Sequence, residues 1–76
     1  MKAITLDEAK ALLPGRILYE MYSHNADGTP CRWRVNGKVK TWKQDQSRVQ
    51  VPVKHGLYDY AYLTENNRGF FSLGEE

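Results

Sequence analysis

Cys31-Arg32-Trp33-Arg34-Val35-Asn36-Gly37-Lys38-Val39-Lys40-Thr41-Trp42-Lys43 sets two runs of β-favouring residues on either side of Asn36-Gly37. That dipeptide takes the paired positive φ values of a type I′ turn at little cost, so the stretch reads as a tight β-hairpin. A two-residue turn pairs Val35 with Lys38, Arg34 with Val39, Trp33 with Lys40, Arg32 with Thr41 and Cys31 with Trp42. Opposed residues share a face. One face then carries Cys31, Trp33, Val35, Lys38, Lys40 and Trp42, and the other Arg32, Arg34, Val39, Thr41 and Lys43. A half-buried hairpin has one apolar and one polar side. Neither face here is purely apolar, which predicts a ribbon that projects beyond the core and stays wet on both sides.

Downstream, Gln44-Asp45-Gln46-Ser47 reads as a short polar connection. Arg48-Val49-Gln50-Val51-Pro52-Val53-Lys54 then alternates strictly, with the three valines pointing one way. Pro52 lacks a ladder donor, so its strand is expected at an edge or with that position turned outward. His55-Gly56 predicts a second two-residue turn. The register that follows sets Val53, Val51 and Val49 opposite Tyr58, Tyr60 and Tyr62, and this Val/Tyr face is the expected core layer. A three-residue loop that puts Asp59 among the valines is rejected. The tyrosines also suit a stacking platform for bases, although Val–Tyr packing is the commoner unit of sheet stabilisation. Leu63-Thr64-Glu65-Asn66-Asn67-Arg68-Gly69 reads as a strand end and one helical or 3₁₀ turn, capped by Thr64 and ended by Gly69. Phe70-Phe71-Ser72-Leu73 is a short final strand, and Gly74-Glu75-Glu76 a frayed end.

Upstream, Thr5-Leu6-Asp7-Glu8 fits a capping box. Leu6, Ala9, Leu12 and Leu13 recur at helical spacing until Pro14-Gly15 stops the run. So short a helix needs tertiary support, and Leu6, Leu12 and Leu13 are expected to pack on an open edge or end of the sheet. Arg16-Ile17-Leu18-Tyr19-Glu20-Met21-Tyr22 reads as the first strand. The polar loop after it, Ser23 to Pro30, has its tip at Asp27-Gly28.

The 76 residues make one domain, with a helix over residues 5–13 and a β-barrel over 16–73. A core of this size supplies only about 3–5 kcal/mol, which an oligomer or bound partner would supplement. One cysteine, Cys31, excludes an internal disulfide and a four-cysteine zinc site. His24 and His55 lie too far apart to resemble a metal-binding pair. No spacing implies a metal or cofactor. The start of the chain lacks the apolar run of a signal peptide, and no stretch approaches a membrane span, so a soluble protein of a reducing cytoplasm is expected. Net charge is +2, but seven Lys/Arg stand against Asp45 alone between Arg32 and Lys54, while four stand against eight Asp/Glu elsewhere. Such asymmetry reads as a basic patch for an anionic partner, or as a solvated face.

Five or six strands in so short a chain must curl to bury a common core. The expected fold is a mainly β, small SH3-like, partly open barrel with a short N-terminal helix and a 3₁₀ turn before the last strand. An OB-like barrel is the second choice.

The string from Asn25-Ala26-Asp27-Gly28-Thr29-Pro30 through Arg32-x-Arg34-Val35-Asn36-Gly37-Lys38-Val39-Lys40-Thr41-Trp42-Lys43 to Val53-Lys54-His55-Gly56-Leu57 resembles small uncharacterised proteins of bacteriophage and mobile-element genomes. The resemblance spans residues 15–67. It implies a phage or prophage accessory protein in a bacterial cytoplasm, and it brings no activity or site residues.

No phosphate loop, activated serine or cysteine, or recognisable carboxylate pair is legible, so an enzyme is not expected. The leading expectation is a nucleic-acid-binding module. Arg32, Arg34, Lys38, Lys40, Lys43 and Arg48 meet phosphates, while Trp33 and Trp42 stack on bases. Both tryptophans read equally as core anchors. The rival is a protein-interaction module that binds a host or phage protein. A third reading is a homo-oligomer joined through Trp33 and the tyrosine face.

Overall fold

The structure is a computed structural model that describes residues 2–74. Along the chain come helix α1 (Leu6–Lys10), strands β1 (Ile17–His24), β2 (Pro30–Val35), β3 (Lys40–Trp42), β4 (Asp45–His55) and β5 (Asp59–Thr64), a 3₁₀ turn (Arg68–Phe70), and β6 (Phe71–Ser72). The strands form one antiparallel sheet in the order β3-β4-β2-β1-β6, with β5 on β4. Among the described residues β5 and β6 do not pair, so the sheet is open rather than closed into a barrel.

Strand β4, with its alternating valines, is the axis of the sheet. One of its edges carries β5, and β2 and β3 share the other, end to end. This corrects the expected hairpin at Asn36-Gly37. Arg34 and Val35 pair with Lys54 and Val53, then Lys40 and Thr41 pair with Gln50 and Val49. The chain takes five steps from Val35 to Lys40 while β4 takes three from Val53 to Gln50, so two extra residues bulge out of what is otherwise one strand. Gly37 is not among the glycines with positive φ, as a type I′ turn would require. Burial explains the choice. The hairpin sets Val35 against Lys38, whereas the observed route buries Val35 beside Val53 and ties its N–H and C=O to Arg16 O (2.9 Å) and Gly15 N (2.8 Å).

Pro52 fits at the interruption. Its carbonyl accepts from Asn36 N at 2.8 Å, and in an extended strand the N and O of one residue face the same edge. Its missing donor therefore points at the bulge, where the ladder is already broken. A proline is tolerated there in a strand with partners on both edges.

The β4–β5 register also differs from expectation. His55 pairs with Asp59 across the three-residue loop of Gly56, Leu57 and Tyr58, which sets Val53 against Ala61 and Val51 against Leu63. Tyr60 and Tyr62 fall opposite Lys54 and Pro52, on the other face. Asp59 does share the valine side, but at its open end, where it is exposed. Leu63 and Ala61 fill the space beside the valines without burying phenol hydroxyls. A shift by an odd number of residues exchanges every face. Val53 meets Ala61 where Tyr58 is expected, a shift of three, which exposes Tyr58, Tyr60 and Tyr62.

The core lies on the other side of the sheet and comprises Leu18, Val35, Val49, Val51, Val53, Leu63 and Phe71, with Ile4, Ala9 and Leu12 from the N-terminal segment. The capping box forms as read: Thr5 Oγ1 accepts from Glu8 N (3.1 Å) and Glu8 Oε1 from Thr5 N (2.9 Å). The helix is shorter than its pattern, ending at Lys10. Ala9 and Leu12 are buried, Leu6 is half-buried, and Leu13 is 73% exposed, so only part of the expected apolar stripe packs. The loop after β1 turns at Asp27-Gly28 as expected, with Gly28 at φ +88° and Thr29 N and Oγ1 donating to Asp27 Oδ1.

The 3₁₀ turn precedes β6, but it is Arg68–Phe70 with Gly69 inside it, and its N-cap Asn67 makes no side-chain cap bond. Thr64 Oγ1 instead accepts from Asn66 N in the turn before. Arg68 Nη1 donates to Ile4 O (3.1 Å), and Ile4 N to Phe71 O (2.8 Å), so the N-terminal segment lies along β6. Gly74 is held by Ser72 Oγ at 3.0 Å against Tyr19. The rest of the expected frayed end, Glu75 and Glu76, lies outside the described residues.

Candidate functional site

Alternation along the strands decides what the outer face carries. Lys54 shares a row with Arg34 of β2, Ile17 of β1 and Tyr60 of β5. The neighbouring rows bring Arg32 beside Tyr19, Pro52 beside Tyr62, and Lys40 beside Gln50 and Thr64. Beyond them Trp42 lies with Lys40 Nζ 5.1 Å and Arg48 Cζ 4.0 Å from its ring centroid. Arg32, Arg34, Lys40, Arg48 and Lys54 thus stand on the side opposite the valine core, interleaved with Tyr60, Tyr62 and Trp42. From Arg48 to Lys54 the face runs about 20 Å along β4. Lys54 Nζ sits 5.2 Å from the Tyr60 ring centroid, an arrangement in which the ring quadrupole attracts the ammonium.

The expected site residues divide. Arg32, Arg34, Lys40, Trp42 and Arg48 are brought to this face. Lys38 lies in the bulge and Lys43 in the β3–β4 turn; both are exposed but off the strand rows. Trp33 is placed differently, half-buried against the core while also lining a cleft at one end of the face. It pairs with Leu18, packs edge-on against Phe71 (centroids 6.2 Å, planes at 82°) and lies 5.2 Å from the His55 ring, on the core side. Its Nε1 is buried without a hydrogen-bond partner among the described residues. Trp42 is half-buried under its two cations. Lys54, Tyr60 and Tyr62 join them: in the sequence Lys54 counts only within the basic stretch, and the tyrosines read first as core and second as a stacking platform. The signal for the tyrosines was Ala61 and Leu63 between and beyond them, an alternation that competes with the tyrosines for the core.

At one end of the face, Arg32, Trp33, Arg34, Lys54 and His55 line a cleft of about 440 Å³, with Asn25 and Gly56 also in its lining. His55 Nδ1 lies 2.8 Å from the carbonyl oxygen of Arg32. A carbonyl only accepts, so Nδ1 carries the proton and the ring is held as a wall of the cleft. At the other end two carboxylates flank Arg48. Asp45 is held below its ordinary value by hydrogen bonds from Ser47, with Arg48 and Lys10 adding to the effect. Glu65 is lowered by the Val49 N–H, which donates to its Oε1 at 3.0 Å, with a smaller contribution from Arg48.

Such a surface can draw in a polyanion by charge and offer ring faces to planar groups. Among the described residues no three His, Cys, Asp or Glu side chains gather as a metal site, and no helix is long and apolar enough to cross a membrane. Compared with known proteins, the chain is matched by no family model, no curated protein and no solved structure.

Proposed function

We propose that the outer face of the sheet binds nucleic acid as single strands, with bases stacked on Tyr60 and Tyr62 and phosphates met by Arg32, Arg34, Lys40, Arg48 and Lys54. The observation that supports this most is the gathering of five cations and two exposed tyrosines on one side of the sheet by strand alternation. Cations that track a backbone beside sequence-tolerant stacking rings are the combination single strands require. Trp42 takes part through Arg48, whose guanidinium already covers its ring and itself offers a planar face. The succession of antiparallel hairpins, with a 3₁₀ turn before a last strand that returns to β1, supports an SH3-like reading of the fold. A phage or prophage accessory role in a bacterial cytoplasm is the setting proposed, in line with the resemblance across residues 15–67. The protein is read as a binding module without catalysis.

The test is a fluorescence-anisotropy titration of labelled single-stranded DNA, duplex DNA and RNA at low and near-physiological salt. Single strands are expected to bind at micromolar concentration or tighter, with affinity that falls as salt rises because bound phosphates release counterions. Absence of binding at both salts rejects the reading. A protein partner is then favoured by Leu57 and Tyr58, 73% and 87% exposed at the tip of the β4–β5 hairpin. Retention of one host protein from nuclease-treated lysate, lost in Tyr58→Ala, is the result expected for that alternative.

A further inference from the structure

We infer that the cleft between β1, β2 and the β4–β5 turn is a site for the terminal phosphate of a nucleic-acid strand. This rests on the proposed reading of the outer face and assigns one end of that face a distinct task. Three observations carry it. First, the cleft is concave and cationic: Arg32, Arg34 and Lys54 line it with His55. Among the described residues none of the three cations is engaged in an ion pair. Second, neither neighbouring acid is paired with those cations. Asp27 shares the adjoining cavity with Arg32 but its Oδ1 accepts from Thr29 N and Oγ1, and Asp59 pairs across the strands with His55. Third, the cleft lies at the end of β4 away from Arg48, with Asn25 of the β1–β2 loop and Gly56 of the β4–β5 turn in its lining. A strand laid along β4 from Arg48 arrives there with its end, not its middle.

Charge makes the same distinction. An internal phosphodiester carries one negative charge. A terminal monoester carries about −1.5 to −2 at neutral pH and exposes three acceptor oxygens. Two arginine forks and an ammonium around one concavity match the second group better, because guanidinium donors take phosphate oxygens in pairs.

The experiment uses the full chain in two measurements. Anisotropy compares one oligonucleotide carrying a 5′-phosphate, a 3′-phosphate or only hydroxyl ends at constant salt. Amide NMR follows titration with adenosine 5′-monophosphate, adenosine and inorganic phosphate. One phosphorylated end is expected to bind about tenfold more tightly than the hydroxyl form, as for one added charge-assisted contact. Arg34→Gln and Lys54→Gln, both at solvent-facing positions, are expected to abolish that preference, whereas Lys40→Gln weakens all three oligonucleotides by one factor. The monophosphate, but not adenosine, is expected to shift the amides of Arg34, Lys54 and Gly56 saturably.

Equal affinities of the three oligonucleotides with no saturable monophosphate shifts overturn the cleft and leave the face reading intact. Monophosphate binding without oligonucleotide binding rejects the face and overturns the assignment of the cleft to a strand end. Inorganic phosphate that binds as tightly as the monophosphate, with no end preference, makes this a free-phosphate site and overturns the assignment to a strand end.

Discussion

Gly37 lies against the ring of Pro52 so closely that a β-carbon on Gly37 would come within 2.9 Å of Pro52 Cγ. The glycine serves close approach between the bulge and β4, not a turn. Gly37→Ala is therefore expected to destabilise by about 1–3 kcal/mol through overpacking. The penalty should shrink when Pro52→Ala is also present, because the two residues share one contact. Denaturant unfolding of the four members of this cycle measures the coupling. Simple additivity would contradict the contact.

Trp33 buries an indole N–H with no partner among the described residues. Trp33→Phe removes that orphan donor along with some ring volume. The two effects oppose each other, so stability is expected to change by no more than about 1 kcal/mol. Leu63→Ala, which only empties a fully buried site, should cost about 2–5 kcal/mol. Calorimetry on both variants checks the contrast, and a larger loss for Trp33→Phe than for Leu63→Ala refutes it.

On the outer face the tyrosines, not Trp33, are expected to carry stacking. Tyr60→Ala should weaken single-strand binding by about 1–3 kcal/mol, more than Trp33→Phe does. The reverse order of effects in anisotropy titrations would restore the tryptophan reading.

Acid sensitivity has a calculable sign. Glu8, Asp27, Asp45 and Glu65 are each held below their ordinary values, by hydrogen bonds from Thr5, Thr29, Ser47 and Val49 respectively. The unfolded chain therefore binds more protons in acid than the folded one, and stability falls as pH drops. The loss begins near the ordinary values, 4.5 for the glutamates and 3.8 for the aspartates, and continues through the lowered ones. Urea melts between about pH 7 and about pH 3 should show it, with a shallower decline in Glu65→Gln. A flat profile would contradict these bonds.

What could be read from the chain alone was local. The Thr5/Glu8 capping box, the Asp27-Gly28 tip and the inward valines of β4 each depend on neighbours in sequence, and each is found. The two registers depended on packing between distant residues. Asn36-Gly37 suits a bulge as well as a turn, and burial of Val35 beside Val53 selects the bulge. His55-Gly56 suits a two- or a three-residue loop, and the space beside the valines, which Ala61 and Leu63 fill, selects the longer one. The cations of the candidate face were visible because charge needs no register. Its tyrosines fell first to the core and only second to stacking, because a register error of an odd number of residues, here three, turns a surface ring into a core ring.

The two indoles end up in unlike surroundings, which has a practical outcome for optical work. Trp33 sits among Leu18, Phe71 and His55 on the core side, while Trp42 lies beneath two cations at the surface. Emission from the first reports whether the sheet is intact, and emission from the second reports what approaches Arg48 and Lys40. With Trp33→Phe and Trp42→Phe as single-reporter forms, one unlabelled sample can follow unfolding and ligand arrival as separate signals.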